Sequence, residues 1–354
     1  MDRFKKRFLF EPEMGQKIYN LLAQIEELKG QWRAGVNLSP QVLNRLKQSV
    51  IVTSTGSSTR IEGARLSDLE VEKLLKGLKI QKLKTRDQQE VAGYAELLNN
   101  IFESYSEINL SENTIKHIHH ELLKYSEKDQ RHRGHYKFGS NRVEAKDSSG
   151  EILSVLFDPT PPPLVQKEIS ELIDWTQIQL SKKEIHPLLV VAHFIFEFLS
   201  IHPFQDGNGR SSRILTNLLL LKNGYTYTPY ISHEKLVEDN KNSYYLALNK
   251  SQKTWKSKKE DITPWLFFFL TIFLKQTRLA VELLDKESIE HLLSEKQRMV
   301  WEYVQTQETV SPKEIREKLK MPVGTVLQVL TKLLDLKKIE RYGEGRATRY
   351  KSLL

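Results

Sequence analysis

The chain has 354 residues and no cysteine, with 54 Lys and Arg against 45 Asp and Glu, a formal charge of +9. That length fits two or three domains of roughly 100–200 residues, and the missing thiol excludes disulfides, thiolate nucleophiles and cysteine-ligated zinc or iron-sulfur sites. The opening MDRFKKRFLFEPEMG has no signal-peptide pattern, and the most apolar run, Trp265 to Leu274, is too short for a bilayer, so a cytoplasmic protein without membrane attachment is expected.

Helical periodicity dominates, and a mainly α fold follows from it. In chain order, Ser58-Thr59-Arg60-Ile61-Glu62-Gly63 reads on its own residues as a helix end closed by Gly63, with Glu62 exposed. The lysine-rich stretch Lys73 to Arg86 reads as a solvated helix face. Between Arg133 and Pro163, Val143, Ile152, Leu153, Val155 and Phe157 flank the turn-rich Lys146 to Gly150, the pattern of a β-hairpin. An isolated hairpin is marginal in water, so this one is expected to lie against the helices.

Leu188, Val191, Ala192, Ile195 and Leu199 form a buried helical stripe, with Pro187 in the first turn. Ile214, Leu215, Leu218, Leu219 and Leu221 leave a second helix little polar face, and Gly224 closes it. Between them stands His202-Pro203-Phe204-Gln205-Asp206-Gly207-Asn208-Gly209-Arg210-Ser211-Ser212-Arg213. Pro203 disfavours helix at His202, so the chain must bend there. The amides around Gly207, Asn208 and Gly209 then open a helix, where unpaired N–H groups and the macrodipole favour an anion. Arg210 and Arg213 add two guanidinium forks for phosphate oxygens from one helical face. Asp206 offers a hard oxygen suited to Mg²⁺ held between protein and phosphate. His202 is placed as general base for a hydroxyl attacking phosphorus, and Phe204 as an anchor in the core.

Each part has a plainer reading: a structural histidine, a turn, solvated arginines. As a calcium loop the stretch fails, because Arg210 takes the fifth position and no Glu stands at the twelfth. The conjunction of base, metal ligand, anion nest and paired guanidiniums within twelve residues favours chemistry.

The last 64 residues, from His291, hold 13 Lys and Arg against 8 Asp and Glu, and so +5 of the +9. Ser311-Pro312-Lys313-Glu314 starts a helix with a capping box, and Met321-Pro322 ends it. A second helix is expected to turn Val323, Val326, Leu330 and Leu333 inward, and Ile339 to Tyr350 reads as two strands around a glycine-tipped turn. That is the winged helix-turn-helix order. Thr325, Gln328, Lys332, Arg346 and Arg349 could face DNA, but Leu327 and Val329 make the second helix poor in base-reading groups. DNA, a protein partner and a homodimer therefore all stay open.

The twelve residues HPFQDGNGRSSR resemble the signature of Fic-domain proteins, His-x-Phe-x-Asp/Glu-Gly-Asn-Gly/Lys-Arg-x-x-Arg, at every constrained position. The resemblance runs from about Asn109 to Lys253 and takes in the hairpin, similar to that family's substrate-positioning flap, and Tyr244-Tyr245. It implies a Fic-type helical core that transfers AMP from ATP, with Mg²⁺, to a Ser, Thr or Tyr hydroxyl of a target protein or of the chain itself. Carried over by position, His202 is the base and Asp206 the metal ligand. Gly207, Asn208 and Gly209 cradle phosphate, Arg210 pairs with it and Arg213 reaches the γ-phosphate, while Tyr244 or Tyr245 lies near adenine. Ser58, Glu62 and Gly63 are similar to the family's inhibitory pattern Ser/Thr-x-x-x-Glu-Gly/Asn, which implies a Glu62–Arg213 pair that blocks productive ATP binding. The alternatives are AMP removal with the same Glu, transfer of another nucleotide such as UMP, and a DNA-binding regulator whose core only senses nucleotide. The expected domains are an N-terminal helical region at 1–108, a Fic domain at 109–253, connecting helices at 254–290 and a winged helix at 291–354. Target choice is expected to rest on the hairpin around Ser140 to Val155, through strand addition.

Overall fold

A computed structural model describes residues 4–36, 38–77, 83–146, 152–336, 338–343, 345 and 348–353, with the backbone alone at 143–146, 152–156 and 285–292. The chain divides into two compact units, Met1–Val281 and Glu282–Leu354. The described residues are mainly helical.

The first unit carries α1 (Pro12–Gly35), α2 (Pro40–Ile61), α3 (Asp68–Gly77), α4 (Arg86–Ser104), α5 (Glu112–Leu122), β1 (Val143–Lys146), β2 (Ile152–Phe157), α6 (Pro162–Lys182), α7 (Pro187–Ile201), α8 (Asn208–Lys222), α9 (His233–Asp239) and α10 (Lys241–Gln252). A long helix, α11 (Thr263–Leu292), begins in this unit and ends in the second. Every residue of α7 from Leu188 to Ile201 is buried, so it forms the centre, and α8 packs on it with α4, α5 and α2 around. A helix buried on all sides must neutralise its charges. Glu197 of α7 is held by Arg7 at 2.7 Å, and Arg7 also reaches Glu260 at 2.6 Å, which fastens the N-terminal segment to the centre. Gly93 lets α4 approach α5, since a Cβ there would fall 2.2 Å from the Leu122 carbonyl oxygen.

β1 and β2 pair antiparallel, with Val143 opposite Phe157 and Lys146 opposite Ile152, and the expected turn at 147–151 lies outside the described residues. Of the Lys73 to Arg86 stretch, residues 78–82 lie outside the described residues, and the described parts on either side do not form one helix face. α3 ends at Gly77, and a Thr85–Gln88 capping box starts α4 at Arg86. Trp265 to Leu274 lies in α11 with Leu266, Leu270 and Phe273 fully buried, and no helix among the described residues is long and apolar enough to cross a membrane.

The second unit holds α12 (Glu295–Gln305), α13 (Pro312–Leu319), α14 (Val323–Asp335), β3 (Ile339–Tyr342) and β4 (Arg349–Ser352). Ser311 and Glu314 form the expected capping box of α13, and β3 pairs antiparallel with β4. The core is Val300, Trp301, Val304, Ile315, Val326, Val329, Leu330, Leu333 and Tyr350. Two expectations for α14 change. Val323, at the helix's first position, is 46% exposed, and Val329 is buried beside Leu330. The inward stripe is 326, 329, 330 and 333, so only Leu327 of the two central apolar residues faces out. Arg346 lies outside the described residues.

Candidate active site

α7 ends at His202, whose backbone is left-handed (φ 52°) just before Pro203, a conformation a non-glycine residue holds only when its surroundings enforce it. They do so here. The His202 N–H stays bonded to the Phe198 carbonyl at 2.9 Å, and Asn141 Nδ2 donates to the carbonyls of His202 (3.1 Å) and Phe204 (2.7 Å). Lys137 Nζ, buried, donates to the Ile201 carbonyl and to Asn141 Oδ1. Phe204 is fully buried and stacks on His119 with 3.7 Å between ring centres, so it anchors the bend. Asn208 closes the turn from inside: its Oδ1 accepts from Phe204 N–H at 2.9 Å and its Nδ2 donates to Phe204 O at 2.8 Å.

His202 Nδ1 lies 3.2 Å from the Leu199 carbonyl, which fixes the proton on that nitrogen and leaves Nε2 as a free base. Burial, with Lys137 adding positive charge, pulls the ring's pKa down to about 4, so it is neutral at pH 7.

Gly207, with φ +77°, precedes α8, and no side chain caps that helix. Its first-turn N–H groups are therefore open to an anion. The carboxylate that stands there is Glu62, from the end of α2. A Cβ added to Gly209 would fall 2.1 Å from Glu62 Oε1, and that oxygen accepts from Arg213 Nη2 at 2.7 Å. Ser58, one turn earlier, accepts from Arg213 Nε through its hydroxyl (2.7 Å) and from Nη2 through its carbonyl (2.9 Å). Arg213 Nη1 is buried and makes no hydrogen bond. Gly63 follows in the left-handed region at φ +102° and ends α2.

Arg210 is 1% exposed, with Nη1 3.0 Å from Glu90 Oε2 and Nη2 3.3 Å from Asp206 Oδ1. Asp206 Oδ1 also accepts from the Gly207 N–H at 2.6 Å, and Oδ2 accepts from Arg86 at 2.7 Å. Burial pushes this carboxyl up, but Arg210, the Gly207 N–H and Arg86 together bring it below the usual range. Tyr244 is buried against Trp265 and Phe268, and Tyr245 is 36% exposed. Burial and then Glu62 push the Tyr245 phenol up to about 12.

The structure thus brings Ser58 and Glu62 to Arg213, and the whole signature turn to one end of α8. Arg86, Glu90, His119, Lys137 and Asn141 were not singled out from the sequence. Two left a trace: Glu90 and His119 are polar residues on apolar helical stripes, with Tyr94 and Leu97 in α4 and with Ile115, Ile118 and Leu122 in α5.

Residues 109–220 match the Fic/DOC family. The chain is similar to a probable protein adenylyltransferase of Aquifex aeolicus strain VF5, 32% identical over 114 residues, which are 31% of this chain and 33% of that protein. It is also similar to a protein adenylyltransferase of Caenorhabditis elegans, 33% identical over 69 residues, 20% of this chain and 13% of that one. It thus spans a third or less of the length of these two relatives. The fold is similar to that of a Fic family protein from Desulfovibrio desulfuricans G20, with a TM-score of 0.62 at 23% identity, covering 98% of this chain and 97% of that one. The signature turn therefore sits within the stretch that matches the Fic/DOC family, and the proteins to which the chain is similar include protein adenylyltransferases.

Proposed function

We propose that this chain is an autoinhibited protein adenylyltransferase that moves AMP from ATP to a Ser, Thr or Tyr hydroxyl of a target protein. The observation that carries the reading is the uncapped first turn of α8, an anion site with buried Arg213 at its side and the Glu62 carboxylate over it. Nucleotidyl transfer depends on positioning and charge stabilisation, and these groups supply both. The Asn208 and Gly209 amides hold phosphate, while the Gly207 N–H stays on Asp206 Oδ1, and Arg210 lies along it. Arg213, with Nη1 unpartnered, takes the γ-phosphate once Glu62 withdraws. His202 Nε2 accepts the hydroxyl proton as oxygen attacks the α-phosphorus and pyrophosphate leaves. A base with a pKa near 4 is weak at rest, and negative phosphates beside it raise its basicity when ATP is bound. Tyr244 and Tyr245 border the adenine end.

Among the described residues no group of three or more His, Asp or Glu is arranged to hold a metal. The donor set instead fits Mg²⁺, which keeps several waters and takes one or two carboxylates together with substrate phosphates. Asp206, 39% exposed at the head of α8, would hold it there, and the ion would neutralise phosphate charge.

We read the second unit as a winged helix. The outward face of α14, with Val323 and Leu327 at 46% and 44% exposure, suits a protein contact better than base edges.

The test is transfer from α-labelled ATP by wild type, Glu62→Gly and His202→Ala. Glu62 is partly exposed, and losing its charge-assisted pair with Arg213 costs about 1 kcal/mol, so Glu62→Gly is expected to raise incorporation by about five- to tenfold, and His202→Ala to abolish it. Equal incorporation by wild type and Glu62→Gly would overturn the inhibitory role.

A further inference from the structure

Four charged side chains close a ring beside the signature turn. Arg86, the first residue of α4, donates from Nη2 to Asp206 Oδ2 and from Nε to Glu90 Oε1, both at 2.7 Å. Glu90 Oε2 lies 3.0 Å from Arg210 Nη1, and Arg210 Nη2 lies 3.3 Å from Asp206 Oδ1. Signs alternate around the ring, so its net charge is zero.

The two halves of the ring differ in burial. The side chains of Glu90 and Arg210 are 8% and 2% exposed, whereas those of Arg86 and Asp206 are 49% and 39% exposed. The inner pair belongs to the frame. The outer pair faces solvent, where an ion pair is worth little and readily opens. Asp206 Oδ1 is engaged within its own turn by the Gly207 N–H and Arg210, so Oδ2 is the oxygen left for an outside ligand, and Arg86 occupies it. A divalent cation and a guanidinium repel each other at contact distance, so the two compete for that oxygen. Arg86 can leave without disturbing the frame. Its backbone is fixed by the Thr85 capping box, its Nε bond to Glu90 tethers the side chain, and Glu90 keeps its own hold on Arg210.

We propose that Arg86 gates divalent-cation binding at Asp206. Its guanidinium holds Oδ2 and neutralises the carboxylate until the cation arriving with ATP displaces it toward solvent. This inference rests on Asp206 being the metal ligand, and the experiment separates the two.

Mn²⁺ binding to the full chain is measured by electron paramagnetic resonance of the free ion, with a non-hydrolysable ATP analogue, for wild type, Arg86→Gln and Asp206→Asn. Gln keeps a donor for Glu90 but no charge. For a half-exposed pair, Arg86→Gln is expected to tighten Mn²⁺ binding by about three- to tenfold, with the gap between variant and wild type narrowing at high salt. Asp206→Asn is expected to lose most binding. If Asp206→Asn loses Mn²⁺ while Arg86→Gln binds it no better than wild type, the gate is overturned and the metal ligand stands. If Asp206→Asn binds Mn²⁺ as wild type does, the metal assignment itself fails. Should Arg86→Gln lack a cooperative thermal transition, Arg86→Lys takes its place. Lys keeps the charge but not the planar fork that bridges Asp206 and Glu90, so about a two- to threefold gain is expected and no gain overturns the gate.

Discussion

Arg210 and Arg213 lie one turn apart on α8, both almost fully buried, yet they are held from different sides. Arg210 is gripped by Asp206, four residues before it, and by Glu90 from the buried stripe of α4. Arg213 is gripped by Ser58 and Glu62 from the last turn of α2, and the Glu62 side chain is 33% exposed. That turn is itself fastened from outside, where Arg60 pairs with Glu238 at 2.6 Å and with Asp68 at 2.8 Å. Two arginines that read alike in the sequence therefore differ in kind. One is part of the frame, and the other is restrained by a helix end with a route to solvent.

The sharpest way to break that comparison is to truncate each arginine and measure urea unfolding. Arg210→Ala strands Glu90, whose side chain is 8% exposed, with only Arg86 as partner. Leaving a buried charge short of its partner costs about 3–5 kcal/mol. Arg213→Ala leaves Glu62 free to hydrate and loses hydrogen bonds from a charged group, about 1.5–3 kcal/mol. Equal losses, or a larger one at Arg213, would remove the distinction.

The Arg210 side can be sharpened through pH. The Gly134 N–H donates to His119 Nδ1 at 2.9 Å, and His119 Nε2–H donates to the Asp206 carbonyl at 3.0 Å, so the neutral ring is fully paired. A second proton would place Nδ1–H against another N–H, in a buried site near Arg210. Burial above all, with Arg210 adding to it, pulls the pKa down to about 4. The unfolded chain then binds this proton at a higher pH than the folded one does. Stability is fully present above about pH 6.5 and is lost as pH falls toward 4, by about 2–3 kcal/mol for this one group. His119→Asn is expected to flatten the unfolding free energy between pH 6.5 and 4, leaving the similar but separate slope of His202. An unchanged slope would show that His119 protonates freely in the fold.

Most of the frame around these arginines was legible because it rests on local periodicity. Leu188 to Leu199 and Ile214 to Leu221 carried their burial in their spacing, and Gly207, Pro203 and the Ser311–Glu314 box carried their turns and caps in their own chemistry. The partners that set each arginine's role were less legible. Glu90 meets Arg210 from 120 residues away, and Arg86 reads as one more solvated base because nothing local shows that α4 starts beside Asp206. Asn141 and Lys137 brace a bend more than 60 residues downstream through carbonyls, which have no sequence signature. In α14 the stripe differs from the sequence pattern at Val323 and Val329 because both are apolar, and only packing decides which apolar residues turn inward.

The smallest effect tests the Arg213 side at its closest point. Gly209 stands in the first turn of α8, just before Arg210, and an added Cβ would meet Glu62 Oε1 at 2.1 Å and Arg213 Nη1 at 3.3 Å. The first contact is with the far end of a flexible side chain that already has access to solvent, so Gly209→Ala should turn the carboxylate away at little cost. Losing that charge-assisted bond costs about 1 kcal/mol, and replacing Gly by Ala within a helix returns a similar amount. The net change in stability should therefore stay within about 1 kcal/mol. The signature is non-additivity: Glu62→Gly loses the same contact, so in the Gly209→Ala background its own effect should shrink by about 0.5–1 kcal/mol in a double-mutant cycle. Strict additivity would mean that the carboxylate is not held over the first turn of α8, and the restraint on Arg213 would then rest on Ser58 alone.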